Sequence, residues 1–250
     1  MSSISAMLYR ETKIRATNIT FVFWDLLYPL CYLLLFGVGV TAALGTPLSA
    51  PGVTYNSFFL AGVLGMASFG IASNSSWSFF MDRDNGIFYE MLTYPMSRAE
   101  YLLGKVLFNV FIAIIQMVIT LGLGATLLGI RMRMDLLPLL VVTVIVGTAG
   151  WFFFYTIFAL KIRRNDIFNS VTSVFYFVFL FASSMFYPLE PLPRWFRTIG
   201  LANPITWQVD LLRYTSIGLG NAQQLVLEAV AFGIFVVACF GYAVHSLNRI

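Results

Sequence analysis

The sequence predicts an all-α membrane protein with six spanning helices, and three observations carry that reading. The chain of 250 residues is 59% hydrophobic and only 10% charged, whereas soluble domains carry about 25% charged residues. Its mean hydropathy is +0.84. Its apolar residues fall in long runs separated by short polar interruptions, the pattern of repeated membrane crossings. So few charges could not cover a globular surface. The formal net charge of +4 comes from scattered cations, which argues against a nucleic-acid partner and for loop bias around a lipid bilayer. Cys31 and Cys239 both lie in apolar runs, which reads as small apolar filling and not a disulfide framework. The first apolar run is too long for a cleavable signal core and lacks a small-residue cleavage site.

Residues 1–20 precede the first span. Ile4, Met7, Leu8 and Ile14 share one side of a helix, with Glu11 and Arg15 intruding on it. The segment reads as an interfacial helix on the cytoplasmic surface; a basic tail that only sets orientation is the alternative. Spans are expected at residues 21–44, 55–81, 101–129, 136–160, 167–187 and 225–247. Pro29 sits early in the first, where a kink is tolerable if neighbours satisfy the freed carbonyl. The TPLSAPGVT stretch, 46–54, is a short turn. The second span holds Gly62, Gly65, Ala67, Ser68, Gly70 and Ala72, a small-residue profile that suits the inside of a bundle. The aromatic run Trp151 to Tyr155 reads as packing or interface anchoring. One membrane domain covers 1–250.

Two polar segments break the pattern. Residues 82–98, DRDNGIFYEMLTYPMSR, carry both signs of charge, a glycine after an Asx pair and a short amphipathic run ending at Pro95. Residues 188–221 are too polar to span and too apolar for an ordinary loop. Pro188, Pro191 and Pro193 break the fifth helix there. Asn203-Pro204 reads as an N-cap followed by a first-turn proline. A helix over 204–217 is roughly 20 Å long, against a hydrocarbon core of about 30 Å. It should dip in and return, shielded by protein. With both termini inside, ten of the fifteen Lys and Arg residues fall on the inner side.

Candidates for covalent chemistry are few. His245 is the only histidine and lies near the end of the last span, so neither a metal site nor a Ser/His pair is expected. There is no GxxxxGK[ST] phosphate loop. Asp25 and Glu228 are the acidic residues within or at the edge of spans, and Gln116 is a further polar residue inside one; intramembrane carboxylates are functional candidates. Asp25 is expected close enough to the inner interface to reach water. Glu228 lies near the outer one. No central charged site of the kind an ion-coupled transporter uses emerges. Asp210 and Arg213 are spaced to pair on one helix.

Two motifs carry a family resemblance. RDNGIFYEMLTYPMSRAEYLLGK, from Arg83 to Lys105, resembles an acidic-Gly stretch, then E-x-L, then a proline before the third helix. NPITWQVDLLRYTSIG, from Asn203 to Gly218, resembles an NP-x5-D-x2-R signature. At this separation and with this topology the chain resembles the membrane subunit of an ABC-2 type transporter. It is nearer to the drug-resistance and Nod-factor export permeases than to the O-antigen subunits. The resemblance implies an ATP-driven exporter in a prokaryotic inner membrane, pairing with a second copy or a paralogous permease. It implies a cytosolic ATPase as a separate polypeptide, with ATP and Mg on that partner and no cofactor bound by this chain. Arg83, Asp84, Asn85, Gly86, Ile87, Phe88, Glu90, Met91 and Leu92 would match the coupling helix that contacts the ATPase. Pro188, Asn203, Pro204, Trp207, Asp210 and Arg213 would match re-entrant helices gating the outer side. The cargo would be amphipathic or lipid-linked: a drug, a glycolipid or a polysaccharide. A stand-alone secondary transporter or channel is the alternative; an intramembrane enzyme lacks a catalytic set.

Overall fold

The computed structural model describes residues 3–44 and 54–248, and every regular element among them is helical. The expected 46–54 turn falls outside the described residues except for Thr54. Helix α1 (Ser3–Thr17) leads into a first span built of α2 (Ile19–Val22), a five-residue π-helical turn at Phe23–Leu27, and α3 (Tyr28–Leu44). The π turn has a local cause. Pro29 lacks an N–H, and its ring crowds the carbonyl four residues back, which belongs to Asp25. A wider turn at that point relieves the clash.

Helix α4 (Tyr55–Asp84) is the axis of the molecule. Thr54 caps it by accepting from the Ser57 N–H at 3.3 Å. It is about 45 Å long at 1.5 Å per residue. In its most apolar window 78% of residues are buried, against 24% in the first span and 22% in the last. The small residues explain this. A Cβ on Gly62 would meet the Met185 carbonyl oxygen at 2.4 Å, and one on Gly65 would meet Val209 at 2.6 Å. Only glycine admits those neighbours.

The short α5 (Ile87–Met91) follows a turn in which Gly86 takes a φ of +79°, a left-handed conformation that glycine adopts without strain. Helix α6 (Arg98–Thr126) opens with a capping box: Ser97 Oγ accepts from the Glu100 N–H at 3.2 Å, and Glu100 accepts from the Ser97 N–H at 2.7 Å. A 3-10 turn at Met134–Leu136 leads into α7 (Leu137–Lys161), with Pro138 in its first turn. Then come α8 (Asn165–Phe181), α9 (Arg194–Ala202), α10 (Pro204–Ile217) and α11 (Ala222–Leu247). Helix α4 packs on α3, α6, α7 and α10, and α7 also packs on α11. The aromatic run on α7 is indeed core: Trp151 is fully buried, edge-on to Phe69 at 4.6 Å.

Among the described residues five helical segments are long and apolar enough to cross a membrane, one fewer than the six expected. The difference is α8. It stops at Phe181, before the expected 187, and its 17 residues reach about 25 Å, short of the ~30 Å hydrocarbon core. Asn203 ends it by donating its amide to the carbonyls of Phe179 (2.8 Å) and Ala182 (2.7 Å). Cys31 is exposed on α3 and not buried as expected; Cys239 is buried, and both are free thiols.

Candidate functional site

Residues 82–98 lie at the end of the bundle that also carries α1. Helix α5 is pinned there by one side chain. Phe88 is 0% exposed and meets Phe79 at 5.5 Å and Tyr101 at 5.0 Å, edge-on to both. This corrects the sequence reading, which offered Phe88 to a partner: the ring faces inward, between Phe79 of α4 and Tyr101 of α6. Ile87, Met91 and Leu92 are half-buried, while Asp84, Asn85, Tyr89, Glu90 and Tyr94 are exposed. Arg83 donates to the Ile162 carbonyl, tying the base of α4 to the α7–α8 turn. Between α1 and α5 runs a groove of about 440 Å³, lined among others by Ala6, Arg10, Ile87, Glu90, Met91 and Tyr94.

Beneath α5 sits an ion cluster that composition did not reveal. Lys105, 0% exposed, donates to Glu11 at 2.8 Å and to Ser78 at 3.1 Å, and stands 3.2 Å from Asp82. Arg10 grips Asp82 through two bonds, 2.5 and 3.0 Å, and Tyr101 donates to the same carboxylate. Two cations therefore face two acids from three segments far apart in sequence. Burial disfavours the Arg10 charge, but the hydrogen bond and charge of Asp82 outweigh it and raise its pKa. Met7 seats beside this cluster against Gly104, where a Cβ would lie 2.4 Å from Met7 Cγ.

The buried stripe of α1 is Met7, Glu11 and Arg15, an i, i+4, i+8 line. Glu11 and Arg15, the intruders on the apolar side, are the residues α1 buries. Ile4, Leu8 and Ile14 are only half-buried. Arg15 pairs with Asp25 at 2.5 Å, and Asn74 donates to the other Asp25 oxygen at 2.7 Å. Asp25 is 2% exposed, so it does not reach water as expected; the π turn aims it inward at Arg15. The signal was present in sequence: two charges four residues apart on an otherwise apolar face, opposite later acids and a lysine.

Above that pair a cleft of about 810 Å³ opens between the first span, α4 and α8, with Trp24, Trp77, Asn74, Asn169 and Tyr176 among its lining residues. Gln116 is fully buried on α6, its amide reaching Thr120 Oγ1 at 3.4 Å, with Oε1 unpartnered.

The second polar segment forms the opposite end. Asn203, besides ending α8, accepts from the Ile205 N–H at 3.0 Å and so starts α10. Pro204 supplies the first helical position. Pro188 is half-buried in the turn after α8. Trp207 donates to the Leu201 carbonyl at 2.7 Å. Gln208 accepts from Trp151 Nε1 at 2.6 Å, in space that Gly147 leaves open. At the far end of α10, Ser216 accepts from the Arg133 N–H at 2.8 Å. Trp151 lies about 21 Å into α7. Helix α10 therefore runs from the middle of the bundle to the end opposite α1. On it Arg213 pairs with Asp210 one turn away, donates to the Ser184 carbonyl at 2.8 Å and stacks 3.8 Å from the Phe58 ring. Ser184 Oγ holds Asp210 at 2.8 Å. Glu228 on α11 is 6% exposed; Gln224 donates to one of its oxygens at 2.8 Å and the other is unpartnered.

The profile of the ABC-2 type transporter family covers residues 2–217. The chain belongs to the ABC-2 type transporter family. It is similar to the transport permease ycf38 of Pyropia yezoensis, with 25% identity over 84% of this chain and 75% of that one. It is also similar to ycf38 of Porphyra purpurea, with 24% identity over 76% and 65%. The ycf38 of Cyanophora paradoxa is 27% identical over the same shares. The chain thus spans about two thirds to three quarters of these relatives. It is a multi-pass membrane protein of transport-permease type. Among the described residues no cluster of His, Cys, Asp and Glu could hold a metal ion.

Proposed function

We propose that this permease is the membrane-spanning subunit of an ATP-driven exporter, working as a pair of membrane subunits on separate cytosolic ATPase subunits in a prokaryotic inner membrane. The observation that carries the reading is the build of α5. One face is nailed into the bundle by Phe88, and the other presents Tyr89, Glu90 and Tyr94 to solvent. A short helix tied to two long ones at Asp84 and Arg98 cannot slip, so a push on its outer face moves α4 and α6 together. ATP and Mg2+ would be bound by the ATPase, whose closure on ATP pulls α5 and switches the spans from inward-open to outward-open. Helices α9 and α10 form the re-entrant gate on the outer side. The cargo is amphipathic or lipid-linked and moves along the face shared by the two membrane subunits, a second copy of the chain being the simplest partner.

The groove beside α5 refines the contact. The ATPase would meet both α5 and α1, with the exposed Glu90 on the rim able to pair with a basic residue of the partner. Affinity purification from native membranes tests the proposal: an ATPase should co-isolate with the chain, and Glu90→Lys should abolish its stimulation without unfolding the permease. A chain that purifies alone and transports down an ion gradient would refute it.

A further inference from the structure

Toward the end that carries α1, an uncharged cleft opens between the first span, α4 and α8. Its rings come from Trp24 and Tyr28 on the first span, Trp77 on α4 and Tyr176 on α8; its hydrogen-bonding groups include Asn74, Asn169 and Ser173. Every one of its 14 lining residues is uncharged. Arg15 and Asp25, behind it, pair with each other, and Asn74 donates to Asp25; one Arg15 guanidinium nitrogen has no partner but is itself buried away from the cleft's open side. A charged guest would leave its hydration with no counter-ion to meet it, which is costly at membrane depth.

The polar groups have capacity to spare. Asn74 and Asn169 each donate one amide proton, to Asp25 and Asn165, while their side-chain oxygens accept from no described residue. Bare hydrocarbon cannot satisfy them. The cleft volume of about 810 Å³ falls in the range of ordinary small-ligand sites. Of its lining residues, Trp24 and Phe177 are well exposed and apolar, as are Leu27 and Val174, three residues from each along the same helical segments. Aromatic faces beside amide and hydroxyl groups suit a ring that bears C–H on its faces and hydroxyls on its edge.

We propose that this cleft binds the uncharged, polyhydroxylated headgroup of a membrane lipid, whose chains lie outside on the apolar surface of α3 and α8. The inference rests on the permease reading only in making that lipid the cargo; binding itself stands apart from it.

The test uses the full chain in phosphatidylcholine nanodiscs titrated with monoglucosyl diacylglycerol, with bound lipid counted by native mass spectrometry. Phosphatidylglycerol, dihexadecyldimethylammonium and plain diacylglycerol serve as anionic, cationic and headgroup-free competitors. The glucosyl lipid should bind saturably and at least fivefold more tightly than each of the three. Trp77→Leu and Asn169→Ala should each weaken it at least fivefold, while Trp195→Leu on α9 leaves it unchanged. Asn169 is exposed and its side chain bonds only to Asn165, so that variant keeps the fold if Trp77→Leu does not. Less than fivefold preference over any competitor, or unweakened binding in Asn169→Ala, overturns the proposal. Since no ATPase is present, such a failure leaves co-isolation with an ATPase untouched, and failed co-isolation leaves a measured lipid site standing.

Discussion

The two ends of this permease, the α1 end and the α10 end (inner and outer in the proposed orientation), both bury charge but balance it differently. At the inner end Arg10 and Lys105 face Glu11 and Asp82, two against two, drawn from α1, α4 and α6. At the outer end a single guanidinium, that of Arg213, is set against Asp210 on its own helix and Glu228 across the α10–α11 contact. At the outer end one oxygen of Glu228 and the Nε of Arg213 stay unpartnered; at the inner end one oxygen of Glu11 does, but each of the four ions there still has an opposite charge within 3.2 Å. Buried ions hold structure together when each has its partner, and weaken it when one does not. The inner cluster therefore acts as a lock joining segments distant in sequence. The outer one holds a short helix in place chiefly through backbone carbonyls and the Asn203 caps, with surplus acid beside it. On the proposed exporter reading, the end that transmits force is the closed one, and the end that opens is the one left short of a cation.

This contrast can be broken by substitution. The largest effect belongs to Lys105→Met, which leaves two carboxylates sharing Arg10. It should cost about 3–5 kcal/mol, read as a lowered midpoint of unfolding in mild detergent; an unchanged midpoint would dissolve the idea of a lock. Next comes Arg213→Gln, which removes charged bonds to Asp210 and the Ser184 carbonyl. A loss of about 1.5–3 kcal/mol is expected, smaller because Asp210 keeps Ser184 and partial access to water. Glu228→Gln should be within about 1 kcal/mol of the parent and lean toward greater stability, since it deletes a carboxylate lacking its own cation. A clear loss there would mean that the outer end is balanced after all. Smallest is Asp166→Asn, whose partner Arg164 and own side chain are mostly exposed. It should not move the midpoint measurably.

Much of the fold was legible because lipid enforces simple rules. Long apolar runs became helices, Asn203-Pro204 became a cap and a first-turn proline, and the glycines of α4 marked its place at the centre. The fifth span was read too long because its end is set by Asn203, twenty-two residues beyond Phe181, and composition does not register a long-range cap. Local pattern also misjudged α1. Glu11 and Arg15 looked like blemishes on an apolar face, since a helical wheel carries no information about Lys105 or Asp25 across the bundle. Phe88 was misassigned for a related reason: an amphipathic run tells which residues are apolar, not whether they face the chain or a partner. The exposed Tyr89 and Tyr94 were overlooked because an aromatic residue beside a membrane reads by default as an interface anchor.

The central claim is that α5 moves as one body with α4 and α6. Nitroxide labels at the exposed positions Tyr89 on α5 and Phe111 on α6 test it directly through the distance distribution between them. A single narrow distance is predicted, unchanged when the ATPase is bound with or without ATP, and broadened once Phe88→Ala removes the pin. A distance that is already broad in the parent chain, or that shifts by several ångströms on ATP binding, would contradict it.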